Sequence, residues 1–365
     1  MNKRCQFCSV AVMSTMFAML LTVGCDLSED GKVKETPMAT TNTRTIGAAG
    51  STFVAPLMER WSRTYAQTHA VHVNYRPIGS GAGIEEMKKG LLEFGASDAP
   101  LSDDQIREIG PAIQVPISAG PVCVVYNLPS LHGPLQLSAK TLAGIYLGTI
   151  ISWQDAAVAK DNPGVQLPHS AIIVVHRSDG SGTTNIFTNY LSKVSGSWSV
   201  GPGVGLSVTW PVGLGAEGSK GLAATVKGAP GTIGYLELNY AKQNGVSVAS
   251  IQNAAGEFVL PTPASTTKAI TAFDEPLVHD VRAPIVDPPA SAKDAYPIVG
   301  MTFLLVRKDG NDLEDRQAVK DFIAYALSQG QDSAEELSYA RLPQSVQAQG
   351  QQLLSQLRVD GHPMR

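Results

Sequence analysis

Cysteine is scarce, and the four that occur, Cys5, Cys8, Cys25 and Cys123, are too few and too scattered to build a disulfide framework or a metal cluster in a folded body. Charge is also sparse. Charged residues make up 16% of the chain against 43% hydrophobic, so there is ample apolar material to bury and little sign of general disorder. The formal net charge of -4 offers no basic stripe, which excludes a nucleic-acid partner that would have to be held by counterion release. A small anion is not excluded, because local donors hold such a ligand. The seven histidines are dispersed, and neither a His-Glu-x-x-His pair nor a Gly-x-Ser-x-Gly elbow occurs. The nucleotide-cradling Gly-x-x-x-x-Gly-Lys-Ser/Thr pattern is missing too, and in Gly79-x-Gly81-x-Gly83 the third glycine falls one residue too early for a dinucleotide fingerprint. No fixed-period repeat is visible. What remains is a chain of 365 residues, enough for two ordinary domains.

The N-terminus reads as a processing signal. Lys3 and Arg4 precede an uncharged stretch over residues 7–24, which ends in Leu21-Thr22-Val23-Gly24-Cys25. This resembles a bacterial lipobox, so residues 1–24 are expected to be a signal peptide and Cys25 the acylated first residue of the mature chain. An uncleaved membrane helix is the alternative, although Ser14 and Thr15 dilute the stretch and the cysteine sits at its end. Asp26 resembles the inner-membrane retention signal of enteric lipoproteins. Residues 25–44, polar and threonine-rich, read as a flexible tether, with order expected from Arg44-Thr45-Ile46-Gly47.

Beyond the tether, periodicities alternate. Val54, Leu57, Trp61 and Tyr65 recur at helical spacing, and Val71, Val73 and Tyr75 alternate as a strand. The spacing predicts a short helix over residues 84–89. Ala171-Ile172-Ile173-Val174-Val175 predicts a strand buried on both faces, and Cys123 lies in a second apolar run, Pro121-Val122-Cys123-Val124-Val125-Tyr126, as a buried core thiol. Helical stripes return at Val319, Phe322, Ile323, Ala326 and Leu327, then at Val346, Leu354 and Leu357. The alternation predicts an α/β fold.

Three segments place glycine and hydroxyl residues where a helix should begin: Gly50-Ser51-Thr52-Phe53, Gly79-Ser80-Gly81, and Arg177-Ser178-Asp179-Gly180-Ser181-Gly182-Thr183. A helix start presents unpaired N–H groups and partial positive charge, glycine admits close approach, and hydroxyls add neutral donors; together these suit an anion. Each hydroxyl taken singly could equally be an ordinary N-cap. Arg177 is the one obvious cation of the set. Asp179 can hold its guanidinium, cap the following helix, or do both. Asp98, in Phe94-Gly95-Ala96-Ser97-Asp98-Ala99-Pro100, puts a carboxylate in an apolar turn, either bonding its own backbone or accepting a proton from a ligand. A hydrolase using Ser181 or Ser80 is the rival from another class; His176, five residues before Ser181, reads instead as structural.

These segments, with Ile145-Tyr146-Leu147-Gly148, Asn162-Pro163-Gly164 and Gly231-Thr232-Ile233-Gly234-Tyr235, resemble the periplasmic phosphate-binding proteins of phosphate-specific ABC transporters, from about Gly47 nearly to the C-terminus. The resemblance implies an α/β, two-lobed periplasmic binding protein fold of type II, each lobe a mixed sheet flanked by helices with the ligand in the cleft. It places one lobe at 45–117 and 298–365 and the other at 118–297. It implies a phosphate cage of Ser51, Thr52, Phe53, Ser80, Asp98, Arg177, Ser181, Gly182 and Thr183, supported by Asp179. The implied protein is a monomer with no catalytic residues, cofactor or metal. It would meet inorganic phosphate, the permease subunits of an importer, and the membrane only through a lipid anchor at Cys25. A binding protein for sulfate, or a scavenging or sensing lipoprotein of the same fold, remains an alternative. The proline-rich stretch 258–292 matches least.

Overall fold

The computed structural model describes residues 43–364; the expected signal peptide, Cys25, Asp26 and the expected tether up to residue 42 lie outside the described residues. The first strand is β1 (Arg44–Gly50). It is followed by α1 (Ala55–Ala66), β2 (Val71–Pro77), α2 (Ser80–Lys88), β3 (Phe94–Ser97), α3 (Asp103–Ile109) and the long strand β4 (Ala112–Tyr126). The middle of the chain holds β5 (Gln136–Leu137), α4 (Ala139–Tyr146), α5 (Ala156–Asp161), β6 (Ile173–Arg177), α6 (Gly182–Val194), α7 (Gly196–Val200), β7 (Leu214–Ala216), α8 (Gly218–Gly228) and β8 (Thr232–Glu237). Then come α9 (Leu238–Asn244), β9 (Ser247–Val248), β10 (Ser250–Gln252), β11 (Phe258–Val259), α10 (Pro263–Thr271), α11 (Asp274–His279), β12 (Val299–Arg307), α12 (Leu313–Ala326) and α13 (Gln344–Leu354).

Local chemistry explains the boundaries that matter for the site. Pro56 sits in the first turn of α1, where its missing N–H costs nothing, and Leu57, Met58, Trp61 and Tyr65 bury the helix's inner face. Ser102 and Gln105 form a reciprocal capping box at the start of α3. Small residues from Gly47 to Gly50 let helices press close to β1.

The main sheet runs β2-β1-β3-β12-β4-β8-β6-β7, with β9 on β4. β1 is parallel to β2 and β3, and β6 is parallel to β7 and β8. Between these groups, β4 is buried along its whole length. Its first residues, from Ala112 to Pro121, pair antiparallel with β12, and Val122 to Tyr126 pair with β8. β4 and β12 therefore carry the chain between the two ends of the sheet. The carboxyl ends of β1, β3 and β6 converge with the starts of α1, α2 and α6, the usual location of a ligand in an α/β sheet.

Two expectations need correction. α2 begins at Ser80, not at residue 84: Gly79, at φ +91°, turns the chain sharply and the helix starts at once. The apolar run at 171–175 is not a strand buried on both faces. β6 begins at Ile173, which is 37% exposed, and of the run 171–175 only Val174 and Val175 are buried. The strand starts beyond the reach of its short edge neighbour β7, which pairs only with Val175 to Arg177, so its first residues lie at an open corner of the sheet.

Gly83 packs α2 against β1; a β-carbon there would lie 2.5 Å from the Gly50 Cα and 3.0 Å from the Ala49 carbonyl oxygen. Both obstacles are backbone and cannot rotate away. Gly83→Ala should lower the unfolding free energy by about 1–3 kcal/mol, read as a lower urea midpoint at constant slope.

Candidate functional site

The site starts where β1 ends. Gly50 has φ +143°, and a β-carbon there would fall 2.1 Å from the Ala96 carbonyl oxygen, so only glycine fits. The chain then turns through Ser51, whose N–H donates to Ala96 O (2.9 Å) and whose carbonyl accepts from the Tyr75 hydroxyl (2.7 Å). Ser51 Oγ lies 2.7 Å from both carboxylate oxygens of Asp98 and donates to that carboxylate, while accepting from the Phe53 N–H at 3.0 Å. The Phe53 ring is buried edge-on to Tyr339, so this residue offers backbone to the site rather than side chain.

Asp98 follows directly on β3 and is buried. Its backbone N–H donates to Ser80 Oγ (3.3 Å), which also accepts from the N–H of Gly182 (3.2 Å), the first residue of α6. A β-carbon at Gly182 would sit 2.6 Å from both Asp98 Oδ2 and Ser80 Oγ, which explains glycine there. Ser80 is thus no helix cap; it ties the turn after β3 to the start of α6. Beside it, the Gly81 N–H donates to the Gly180 carbonyl at 2.9 Å. Thr52 Oγ1 lies 2.8 Å from Ser219 Oγ, on the first turn of α8.

Arg177 ends β6 almost fully buried, and Asp179 grips it through Nε (2.6 Å) and Nη2, leaving Nη1 outside that pair. Asp179 also accepts from the Gly218 N–H at 3.0 Å. It does not cap α6; Ser181 does, accepting from the Thr184 N–H. Thr183 Oγ1 is buried with no hydrogen-bond partner. The Tyr235 hydroxyl accepts from the Arg177 N–H (3.1 Å) and lies 2.6 Å from Thr184 Oγ1. His176 stacks on Trp210, its Nδ1 3.0 Å from the Arg177 carbonyl oxygen, and takes no part with Ser181.

The expected residues Ser51, Phe53, Ser80, Asp98 and Gly182 are therefore joined in one hydrogen-bonded cluster. Thr52 is bonded instead to Ser219 at the start of α8, and Arg177, Ser181 and Thr183 frame the start of α6. Cys25 lies outside the described residues. Sequence reasoning missed Ser219, although Gly218-Ser219 at a helix start repeats the sign read at three other places. It also missed Thr302, whose Oγ1 donates to Asp98 Oδ1 at 2.7 Å. The one hydroxyl in the run from Val299 to Val306 was its only signal.

Burial pushes the Asp98 carboxyl up to about 6, against the opposing effects of the Ser51 and Thr302 hydroxyls, the Arg177 charge and Ser80. Burial acts on Asp179 in the same sense, but its bonds to Arg177 and Gly218 outweigh it and hold that carboxyl below the ordinary value. Two carboxyls in one site are thus set apart: one clamped to a cation, the other poised near neutrality.

The PBP superfamily domain matches residues 36–329 of this chain. The phosphate-binding protein PstS of Xylella fastidiosa is 41% identical over 322 residues, covering 88% of each chain. Among solved structures, a high-affinity periplasmic phosphate-binding protein bound with phosphate superposes with a TM-score of 0.65 at 22% identity, covering 84% of this chain and 92% of that one. The phosphate-binding protein of Stenotrophomonas maltophilia gives a TM-score of 0.64 at 18% identity, covering 84% and 93%. Both share the fold.

The Asp98 carboxyl yields a stability signature. Its folded value lies above the ordinary unfolded value near 3.9, so the folded state keeps this proton longer. That contribution is present below about pH 4 and lost as the pH rises to about 6, on the order of 3 kcal/mol in all. In phosphate-free buffer, wild type should lose stability across this window relative to Asp98→Asn. Parallel curves of urea-unfolding free energy against pH would show that burial does not perturb this group.

Proposed function

The chain belongs to the PstS family of phosphate-binding proteins, within the PBP superfamily, and on that premise we propose that it captures inorganic phosphate outside the inner membrane and delivers it to an ABC importer. The observation that carries this reading is the buried Asp98 carboxylate set among hydroxyls, beside Arg177 and the starts of α1, α2 and α6. A carboxylate in an anion site needs a reason. Phosphate near neutral pH retains at least one proton, and Asp98 accepts it. Sulfate has none to give and meets a like charge in a poorly solvated cleft, which rejects it. Thr52, Phe53 and Ser80 supply donors from one side, while Ser51, whose N–H and hydroxyl go to Ala96 and Asp98, holds the carboxylate in place. Arg177 is the charged contact, and Ser181, Gly182 and Thr183 complete the cage. The orphaned Thr183 hydroxyl supports its assignment as a ligand donor.

In this reading residues 45–117 with 298–365 form one lobe and 118–297 the other, hinged where β4 and β12 pass between them. The contacts of Gly81 with Gly180, Ser80 with Gly182 and Thr52 with Ser219 then hold the cleft closed, and release requires their separation. The protein binds and hands over its ligand without turning it over. It acts as a monomer, meets the permease subunits of the importer, and is held to the membrane by lipid on Cys25, with Asp26 favouring the inner membrane.

Titration calorimetry tests the reading. Wild type should bind phosphate and reject sulfate, and Arg177→Ala should weaken phosphate binding by about ten- to a hundredfold through loss of a charge-assisted bond. Asp98→Asn should erode the rejection of sulfate far more than it alters phosphate affinity, since an amide donates as well as accepts. Equal rejection of sulfate by that variant would make Asp98 a mere turn residue. Separately, Cys25→Ser should abolish incorporation of radiolabelled palmitate; label persisting in the variant would remove the anchor from this position.

A further inference from the structure

The geometry around Asp98 assigns a task to a residue outside the cage. Thr302 lies on β12, wholly buried, with Oγ1 2.7 Å from Asp98 Oδ1. Its placement follows from register. β12 pairs antiparallel with β3, Phe303 opposite Ser97, so the next step along each chain sets Thr302 opposite Asp98 just beyond the ladder. On its other side β12 pairs with β4, and there the ladder slips: Thr302 faces Ser118 but Phe303 faces Pro116, leaving Ile117 as the extra residue. Such a bulge re-aims neighbouring side chains, and this one is secured by Gln331, whose Nε2 donates to the Ile117 carbonyl at 2.9 Å. The two oxygens of Asp98 consequently differ. Oδ1 takes the Thr302 hydroxyl and shares that of Ser51, whereas Oδ2 has only its share of the Ser51 hydroxyl among these and lies against Gly182.

Resting on the phosphate reading above, we infer that Thr302 is a specificity-setting positioning residue: by fixing Oδ1 it keeps the carboxylate ionised and turns Oδ2 toward the ligand as the acceptor of its proton. Without this donor the buried carboxyl takes up a proton more readily. A protonated Asp98 can donate to sulfate, and the basis of rejection is lost. The other charged or titratable groups around Asp98 are Arg177 from β6, Tyr75 from β2, Glu237 from β8, Tyr339 from the C-terminal segment, and Arg282 across the adjoining cavity of about 220 Å³.

The test compares wild type, Thr302→Val and Thr302→Ser. Valine keeps the branched shape and deletes the donor; serine restores it. In phosphate-free protein, the carbon-13 resonance of the Asp98 carboxyl should titrate roughly one pH unit higher in Thr302→Val than in wild type, and return toward wild type in Thr302→Ser. Calorimetry at pH 7 should show the preference for phosphate over sulfate falling roughly fivefold in the valine variant, in proportion to the larger protonated fraction. An unchanged titration midpoint together with an unchanged preference overturns the assignment. Should wild type bind no phosphate, the functional reading itself fails, while the titration still decides whether Thr302 governs Asp98. If Thr302→Val does not fold, Thr302→Ala supplies both measurements.

Discussion

A carboxylate cut off from water governs the arrangement around it. Asp98 sits at 3% exposure, and removing such a group from solvent is costly unless donors surround it. The surrounding structure supplies them from distant points of the chain: Ser51 from the turn after β1, Thr302 from β12, and the charge of Arg177 from the end of β6. Each donor fixes a backbone segment in turn. The β1 turn must hold Ser51 beneath Asp98, hence Gly50 with its positive φ, and α6 must begin with a residue that has no side chain, hence Gly182. Ser51, Thr302 and Gly182 are thus placed by the need to accommodate one acid.

The second carboxyl shows what the first is spared. Asp179 is clamped to Arg177 and to the start of α8, which satisfies it and lowers its proton affinity. Had Asp98 received the guanidinium directly, its carboxyl would be held below the ordinary value in the same way. Dividing the two acids in this way leaves one clamped to a cation and the other held by hydroxyls, so that their proton affinities move in opposite directions.

Much of this was legible in the sequence because it is local. Glycine-hydroxyl segments at helix starts, an arginine two residues from an aspartate, and a carboxylate in an apolar turn are short-range patterns, and each reached the site. The α/β alternation was equally local. What escaped was set by register. Thr302 meets Asp98 only because β12 lies antiparallel to β3 in one particular alignment, and no spacing in the chain encodes that. Ser219 was hidden for a related reason, since its role depends on Thr52 arriving from far upstream. The boundary errors had conformational causes: a glycine at φ +91° started α2 early, and a short edge strand left Ile173 uncovered. The role of Cys25 rests on composition and motif alone.

Where Gly81 meets Gly180, main chain touches main chain, with the Cα atoms so near that a β-carbon on Gly81 would lie 3.0 Å from the Gly180 Cα. A seam of this kind has no side chains to immobilise. Ordering a rotamer-rich side chain at an interface costs about 0.5–1.5 kcal/mol, and at this seam that charge is absent. In the proposed reading, joining and parting there require no rotamer search. The main-chain hydrogen bond from Gly81 to Gly180 then closes this part of the cleft without the ordering of any side chain.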